Sequence, residues 1–350
     1  MNNVFSYEKN FNRVHSLCKS VICMLSKCID NNNIKLLLDE FNLFLNENLK
    51  NDKLTISFIG QYNAGKSSII ASITNAKFKK KYFDDIDGNR KLIEIYSIED
   101  KEIKIGAQIM TDQTNEYNWK NTLLIDTPGI YAGREEHDKI TLDKISKSDL
   151  LIFVITNELF NPQSGIFFRK IINDMQRIGQ IILIVNKMSR EAGIKEKLIE
   201  SITKVTEPFL INDFHTCFID ADYYLKAINE SDEKESFYLK NKSNFLDLFK
   251  SLDILIKKDS LNSKLLTPLH CALDILKKAY IIISSNDTIS KDLLELLRRK
   301  YLKISAFKTR VINYYNGELN KLEHEKSICW EIKLRIKLMV NMMKKKLILK

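Results

Sequence analysis

The segment Gly60–Ser67, GQYNAGKS, constrains this chain more than any other feature, because it has the pattern GxxxxGKS. It directly follows the apolar run Leu54–Ile59 and directly precedes Ser68–Ile73, where a helix is expected to begin. A short apolar run, a glycine loop and a helix start together predict the order strand, loop, helix. A chain of 350 residues is long enough to build a full α/β domain around such a unit.

The residue types in this loop are those that hold phosphate groups. Backbone N–H groups at a helix start bind phosphate oxygens, and glycine lets the backbone approach them closely. Lys66 is expected to reach the β- and γ-phosphates, and the hydroxyl of Ser67 is expected to bind Mg²⁺. The predicted contacts to the nucleotide from this loop are Gly60, Gln61, Tyr62, Asn63, Ala64, Gly65, Lys66, Ser67 and Ser68.

A second strand end follows sixty residues later, in LLIDTPG. Asp126 there is expected to hold the Mg²⁺ shell if its strand neighbours the strand before the glycine loop. The N–H of Gly129 is expected to sense the γ-phosphate. A DxxG pattern alone is common, but at the end of an apolar run and after the glycine loop it is a strong signal.

Two further strand ends are expected to contact a nucleotide base. In IILIVNKMS, Asn186 and Lys187 fit the NKxD pattern that selects guanine, but Ser189 replaces its aspartate. A hydroxyl cannot accept the bidentate, charge-assisted pair of hydrogen bonds that a carboxylate accepts, so a weaker preference for guanine is expected and ATP use stays open. In CFIDA, Asp220 and Ala221 are assigned to the base as well, with a plain core strand as the alternative.

Apolar runs alternate with stretches long enough for helices, which predicts a mostly parallel sheet covered by helices. The predicted strands are 54–59, 122–125, 149–156, 181–185 and 217–219. Residues 1–50 show helical spacing with a break at Asn31–Asn33, and Leu265, Leu269, Leu273, Leu276 and Ala279 form one helical stripe. The polar stretches 76–110 and 228–245 are predicted to be loops or small insertions.

Composition argues against a collagen-like, linker-like or wholly disordered chain. Ten Gly, four Pro, 44% hydrophobic and 29% charged residues are ordinary for a folded globular chain. The six cysteines lack zinc-like spacing, so free and mostly buried thiols are expected. No apolar run approaches the about 18 residues of a membrane span, and MNNVFSYEKN lacks a signal pattern, so a cytoplasmic protein is predicted.

The net charge of +10 is concentrated at the end of the chain, since residues 291–350 carry 16 basic against 6 acidic residues. Two interpretations stay open: a surface that meets anionic lipid, nucleic acid or an acidic partner, or a solvated helix face. The chain ends in the basic amphipathic segment MMKKKLILK.

Taken together, these loops in this order resemble the guanine-nucleotide-binding domain of the translation-factor-like GTPases. GQYNAGKSSII followed by DTPG, with helices on both sides, is similar to the bacterial dynamin-like GTPases. QTNEYNW, LLIDTPG and LIVNKMSREAG are most similar to the labile-enterotoxin-output A type, over roughly residues 54–225.

The resemblance implies a fold and a domain order. It implies an α/β P-loop GTPase domain at 51–258, N-terminal helices at 1–50, and a helical stalk-like region at 262–350. The flanking helices would form a partial bundle or stalk. Complete relatives run longer, so we expect either a truncated member or a shorter relative whose basic terminus meets the membrane.

The resemblance also implies an activity: Mg²⁺-dependent GTP hydrolysis coupled to dimerisation across the nucleotide face and to helix movement, peripheral at the inner face of the membrane. Thr114 is the choice for the switch threonine that binds Mg²⁺ and acts in catalysis, with Thr111 the runner-up and a strand-edge hydroxyl the alternative. Ile130 stands where small signalling GTPases place a water-orienting glutamine, so slow basal hydrolysis is expected.

Two further groups are assigned with alternatives. Gln61, at the second position of the loop, is proposed to aid hydrolysis together with Lys66, against a purely structural role. Arg134 is either an arginine finger or, more simply, a solvated charge. Nucleic acid is not expected as a partner, although a ribosome- or RNA-associated regulatory GTPase and a nucleotide-binding scaffold with little turnover stay as alternative functions.

Overall fold

The computed structural model describes residues 7–28, 31–50, 53–86, 89–106, 114–130, 135–175, 177–190, 195–285 and 291–314. The chain divides into two compact units, residues 1–275 and 276–350. The nucleotide loops predicted from the sequence all belong to the first unit.

A six-stranded sheet lies at the centre of the first unit, in the order β5-β6-β1-β7-β8-β9. All neighbours pair in parallel except β5, which runs antiparallel to β6 at one edge. These strands confirm the mostly parallel sheet and the five strands predicted from the apolar runs. The bounds are β1 (Leu54–Gly60), β5 (Asn115–Trp119), β6 (Thr122–Asp126), β7 (Leu150–Thr156), β8 (Ile181–Asn186) and β9 (His215–Phe218).

Helices precede, alternate with and follow these strands along the chain. They are α1 (Tyr7–Leu25), α2 (Asn32–Lys50), α3 (Lys66–Ile73), α4 (Glu135–Lys147), α5 (Pro162–Arg169), α6 (Lys195–Thr206), α7 (Ala221–Asn229), α8 (Glu233–Ser243), α9 (Phe245–Ser284) and α10, residues 291–314. A π-helical turn, Lys170–Asp174, extends α5. Short 3₁₀ turns are Ser26–Cys28, Ile178–Gln180, Met188–Arg190 and Ile211–Asp213.

The central strands are apolar on both faces because helices cover both faces. Successive residues of a strand point to opposite sides, so Ile152 and Val154 enter one apolar cluster and Phe153 and Ile155 enter another. The first cluster includes side chains of α3, α7 and the start of α9, and the second includes side chains of α5 and α6. This double cover fixes the strand ends that carry the predicted loops.

Of the two expectations for 76–110, loops or small insertions, the loop is wrong for the part that is described. Strands β2 (Lys77–Ile86), β3 (Asn89–Ile98) and β4 (Lys101–Gly106) form a separate antiparallel sheet in the order β2-β3-β4. The sequence hid β2 because all its residues from 77 to 83 are exposed and four of them are lysines, so no apolar alternation is visible.

For 228–245 the loop expectation is also wrong, since α8 occupies most of this range. The carboxylate of Asp232 accepts from the N–H of Lys234 and caps this helix. Of the α8 residues only Ser243 is buried, so the helix carries no apolar stripe that a sequence pattern could detect.

The N-terminal helices follow the predicted spacing. The side chain of Asn31 accepts from the N–H groups of Asn33 and Ile34, which begins α2 at the predicted break. The thiol of Cys18 in α1 lies 3.7 Å from the carbonyl oxygen of Pro268 in α9. Helices α1 and α2 therefore belong to the same compact unit as the sheet.

Helix α9 runs without interruption through residues 258 and 262, where the sequence interpretation placed a domain boundary. Its predicted stripe is confirmed, since Leu265, Leu269, Leu273, Leu276 and Ala279 are all buried. The division between the compact units falls inside this helix, after Ile275.

Two expectations from composition can be compared with the described residues. Cys18, Cys217 and Cys271 are buried free thiols and Cys23 is an exposed one, as expected. No helix in the described part of the chain has the length and apolar character needed to cross a membrane.

Candidate functional site

The glycine loop joins β1 to α3 and needs glycine at both ends. Gly60 has a φ of +139°, and a Cβ there would lie 2.0 Å from the carbonyl oxygen of Val154. Gly65 caps α3 with a φ of +91°, and a Cβ there would lie 2.4 Å from Nδ2 of Asn186. Both positions combine a left-handed backbone with close contact, so a side chain is excluded for two independent reasons. Between them, Tyr62 and Asn63 are exposed.

Lys66 is buried at the start of α3, with 7% of its surface exposed. Its Nζ donates to the carbonyl oxygens of Gly60, at 3.2 Å, and Gln61, at 3.0 Å. Burial lowers the pKa of Lys66 to about 8, and the nearby carboxylate of Asp126 partly opposes this shift. A cation that is poorly solvated and held by two carbonyls is placed to bind an anion in the loop.

Ser67 and Asp126 come together as the sequence predicted. The hydroxyl of Ser67 donates to Oδ2 of Asp126 over 2.6 Å, and Asp126 is 2% exposed. This contact exists because Asp126 pairs with Phe58 across β6 and β1, two residues before the glycine loop. A hydroxyl and a carboxylate are the hard oxygen donors that Mg²⁺ prefers, so the donor set fits this ion.

The two candidate switch threonines differ in what the structure shows. Thr114 is half-buried and directly precedes Asn115, which pairs with Asp126 across β5 and β6. Thr114 therefore lies at the sheet end that carries the Ser67–Asp126 pair. Thr111 lies outside the described residues, as does Arg134.

The segment after Asp126 runs back against the glycine loop. The hydroxyl of Thr127 donates to the carbonyl of Phe58, and the N–H of Ile130 donates to the carbonyl of Gly60. A Cβ at Gly129 would lie 2.7 Å from Cα of Tyr62, so this glycine touches the loop backbone. The side chain of Ile130 is buried in the apolar cluster on the α5 face.

Asn186 connects three of the predicted motifs. Its Nδ2 donates to the carbonyl of Ala64 at 2.9 Å, and its Oδ1 accepts from the N–H of Ala221 at 3.0 Å. Lys187 has a φ of +64°, and its Nζ donates to the carbonyl of Asn63 at 2.6 Å. The loops after β1, β8 and β9 are thereby held together at one end of the sheet.

Asp220 takes part in a contact that the sequence interpretation missed. Its Oδ2 accepts from the N–H of Ser189 at 2.9 Å, and its Oδ1 accepts from the N–H of Tyr223 at 3.0 Å. The sequence assigned Asp220 through its neighbour Ala221, whose N–H is bonded to Asn186 here. The available signal was the presence of a hydroxyl at 189 together with a carboxylate at 220.

Gln61 is directed toward the start of α5. Its Nε2 donates to the carbonyl of Leu159 at 2.9 Å and to the hydroxyl of Ser164 at 2.8 Å. Ser164 itself lies in the first turn of α5, which Asn161 caps. The proposed role of Gln61 in hydrolysis stays a prediction, and the structure adds α5 as its partner. Ser68 is half-buried in the first turn of α3.

One family model matches part of this chain. Residues 55–187 match the family model described as 50S ribosome-binding GTPase. The matched range contains the glycine loop, DTPG and the Asn186–Lys187 pair, and it ends before β9. No curated protein matches the chain.

Solved structures resemble the chain at low identity. One is Era in complex with MgGDPNP and nucleotides of 16S ribosomal RNA, at 18% identity and a TM-score of 0.35, covering 57% of this chain and 55% of that one. Another is an oligomerised bacterial dynamin pair described as sensing and tethering membranes, at 16% identity and a TM-score of 0.41, covering 97% and 67%. A third is the LeoA bacterial dynamin GTPase from ETEC, at 15% and 0.33, covering 80% and 52%. The chain thus spans about half the length of Era and of LeoA.

Proposed function

We propose that the P-loop GTPase domain of this chain hydrolyses its bound GTP slowly with Mg²⁺. As in a dynamin-like protein, the nucleotide state would then control dimerisation and helix movement at a membrane. The observation that carries the catalytic part is the 2.6 Å contact between Ser67 and Asp126 beside the buried ammonium of Lys66. The unit formed by β1, the glycine loop and α3, paired with the neighbouring strand β6, brings these three groups together.

Each group has a defined task in this proposal. Backbone N–H groups at the start of α3 bind the phosphates, and Lys66 leaves its two carbonyl partners to neutralise the β- and γ-oxygens. Ser67, Asp126 and Thr114 would hold Mg²⁺, which supplies charge stabilisation to the transferring phosphoryl group. Asn186 keeps the base loop attached to the phosphate loop.

Slow turnover follows from the residue after Gly129. Ile130 is 2% exposed and has no group that orients water. Faster hydrolysis then needs a group from elsewhere. Gln61, which sits in the loop itself, is our choice, and completion of the site by a second copy would allow it to leave Leu159 and Ser164.

Helix movement is supported by contacts at the opposite end of the sheet. In α9, Lys264 donates to the carbonyl of Lys53, directly before β1, and Thr267 donates to Asp149, directly before β7. The nucleotide loops follow the carboxyl ends of the same strands. A shift of β1 or β7 on nucleotide binding would therefore reach α9 through two hydrogen bonds.

The membrane part of the proposal depends on the resemblance and on the basic residues 291–350. We propose a cytoplasmic protein that is peripheral at the inner face of the membrane, attracted by anionic lipid. Sedimentation with anionic and neutral vesicles at low and high salt tests this, because charge-driven binding should disappear at high salt. Binding that is equal on both vesicles would contradict it.

Displacement of a fluorescent GTP analogue tests the nucleotide part. Unlabelled GTP should displace it more effectively than ATP, and Mg²⁺ should strengthen binding. Lys66→Ala should abolish binding, whereas Lys250→Ala, which removes an exposed lysine of α9, should leave it unchanged. Equal displacement by ATP would overturn the guanine assignment, and retained binding by Lys66→Ala would overturn the loop assignment.

A second candidate function is a GTPase that acts on the ribosome, which the description of the matched family model favours. The match is confined to the nucleotide-binding domain, and nucleic acid is not the partner we expect. Co-sedimentation with 50S subunits in the presence of a GTP analogue distinguishes the ribosome-acting function from the dynamin-like one. The dynamin-like proposal predicts no co-sedimentation. A scaffold function would be shown by tight GTP binding with no turnover at any protein concentration.

A further inference from the structure

We propose that Asp220, from the loop after β9, supplies the carboxylate that recognises guanine, in place of the aspartate that Ser189 replaces in the loop after β8. This inference rests on the proposed GTP binding and names the residue that determines its specificity. It also changes the expectation from the sequence: the preference for guanine should be strong rather than weak.

The positions of the two loops support this exchange. Asn186 holds them together, since it bonds both to Ala64 of the phosphate loop and to the N–H of Ala221. The carboxylate of Asp220 then lies 2.9 Å from the backbone nitrogen of Ser189, the position from which the usual aspartate would act. The loop after β8 thus carries a hydroxyl at position 189, and the loop after β9 supplies a carboxylate at the junction of both loops.

The carboxylate has the hydrogen-bonding capacity for this task. Two carboxylate oxygens offer about four acceptor sites, and the N–H groups of Ser189 and Tyr223 occupy one on each oxygen. Guanine presents two parallel donors, its N1–H and its N2 amino group, which would take the remaining site on each oxygen of this carboxylate, 2% exposed in the free protein. Adenine has an acceptor at N1 instead, so the same carboxylate disfavours ATP.

Asp220 accepts more hydrogen bonds than capping of α7 requires. The cap needs only the bond from Tyr223 to Oδ1, which serine or asparagine would also accept. The bond from Ser189 to Oδ2 is a separate contact over 31 positions of sequence that fixes the carboxylate against the base loop. The two roles can therefore be separated by substitutions that keep the cap.

The wild-type chain gives the first test. Competition binding with GTP, ITP, XTP and ATP should rank GTP first, and ITP, which lacks the N2 amino group, should bind about tenfold or more weakly. If no nucleotide binds, the proposed function itself fails. If GTP and ITP bind equally, GTP binding survives but the bidentate carboxylate does not.

Asp220→Asn is the decisive variant. It keeps a side chain that caps α7, and its amide N–H would donate to the C2 carbonyl of xanthine where guanine has a donor. GTP affinity should fall about tenfold or more while XTP affinity rises. Asp232→Asn, which makes the same exchange at the cap of α8, should leave the GTP-to-XTP ratio unchanged.

Asp220→Ser and the double variant Ser189→Asp/Asp220→Ser complete the test. Serine keeps the cap but removes the carboxylate, so Asp220→Ser should lose GTP affinity, and returning the acid to position 189 should restore it. Thermal unfolding checks that each variant is folded. An Asp220→Asn or Asp220→Ser variant whose GTP-to-XTP ratio equals that of the wild type would overturn the proposal and leave Asp220 as a helix cap.

Discussion

Lys66 is a buried cation whose charge is needed only when a phosphate is present. In the free protein, burial lowers its pKa to about 8, so the ammonium begins to lose its proton at mildly basic pH. A bound triphosphate should keep the group protonated. Below pH 8 Lys66 is already protonated in the free protein, so its titration does not reduce GTP affinity. Above pH 8 binding requires uptake of a proton.

The expected result is that GTP affinity falls by up to about tenfold per pH unit above pH 8. Guanine also titrates in this range, but it does so in GMP as well as in GTP. The ratio of the GTP and GMP affinities therefore isolates Lys66, which reaches only the β- and γ-phosphates. Isothermal titration from pH 7 to 9.5 measures this ratio. A constant ratio would show either that Lys66 does not contact the outer phosphates or that its pKa in the free protein lies above this pH range.

Gly60 is the position where a single methyl group should damage the fold most. A Cβ there would lie 2.0 Å from the carbonyl oxygen of Val154, and the φ of +139° disfavours any side chain. Gly60→Ala should lower the free energy of unfolding by about 2 kcal/mol or more, because β1 and β7 cannot keep their pairing.

Gly179→Ala is the matched control, since a Cβ there would meet no atom within 4 Å. Chemical denaturation should show a change of at most about 0.5 kcal/mol for this variant. Equal stability of the two variants would mean that the backbone at Gly60 adjusts freely, which is not compatible with the loop as described.

Helix α9 connects to the sheet through a buried polar cluster. Thr267 donates to Oδ1 of Asp149 at 2.6 Å, while Oδ2 of Asp149 accepts from the N–H and hydroxyl of Thr55. Thr267→Val keeps the shape but leaves one carboxylate oxygen short of a donor. Stability should fall by about 1–3 kcal/mol.

Thr309→Val on α10 removes an exposed hydroxyl that bonds only to the carbonyl of Ser305, so it serves as the control. Urea denaturation of both variants measures the difference. If Thr267→Val is as stable as Thr309→Val, the polar cluster does not attach α9 to the sheet, and the coupling route proposed above loses its support.

The elements that the sequence predicted are those with an apolar signature. Strands β7 and β8 are buried along almost their whole length, so their apolar runs were visible without any structure. Strand β2 and helix α8 have exposed, charged residues, and pairing or capping rather than burial determines them. Such elements cannot be recognised from periodicity alone.

The site divides in the same way. The phosphate loop and Asp126 were predicted because local sequence determines them and their strands are adjacent. The contact between Ser189 and Asp220, and the one between Gln61 and Ser164, join residues 31 and 103 positions apart. They depend on tertiary geometry, so no sequence pattern predicts them.

For the molecule as a whole, the proposal predicts that hydrolysis depends on association. If a second copy completes the site across the nucleotide face, GTP turnover per molecule should rise with protein concentration. Gln61→Ala should reduce this rise while leaving GTP binding within a few fold of the wild type. Turnover that is independent of concentration over two orders of magnitude would exclude dimer activation.

Every function proposed for this chain requires that a triphosphate lies in the loop between β1 and α3, with its metal between Ser67 and Asp126. An experimental structure of the chain with Mg²⁺ and a non-hydrolysable GTP analogue tests it most directly. We expect the γ-phosphate beside Nζ of Lys66 and Mg²⁺ bound by Ser67. Nucleotide density elsewhere on the chain, or a metal that contacts neither Ser67 nor Asp126, would contradict it.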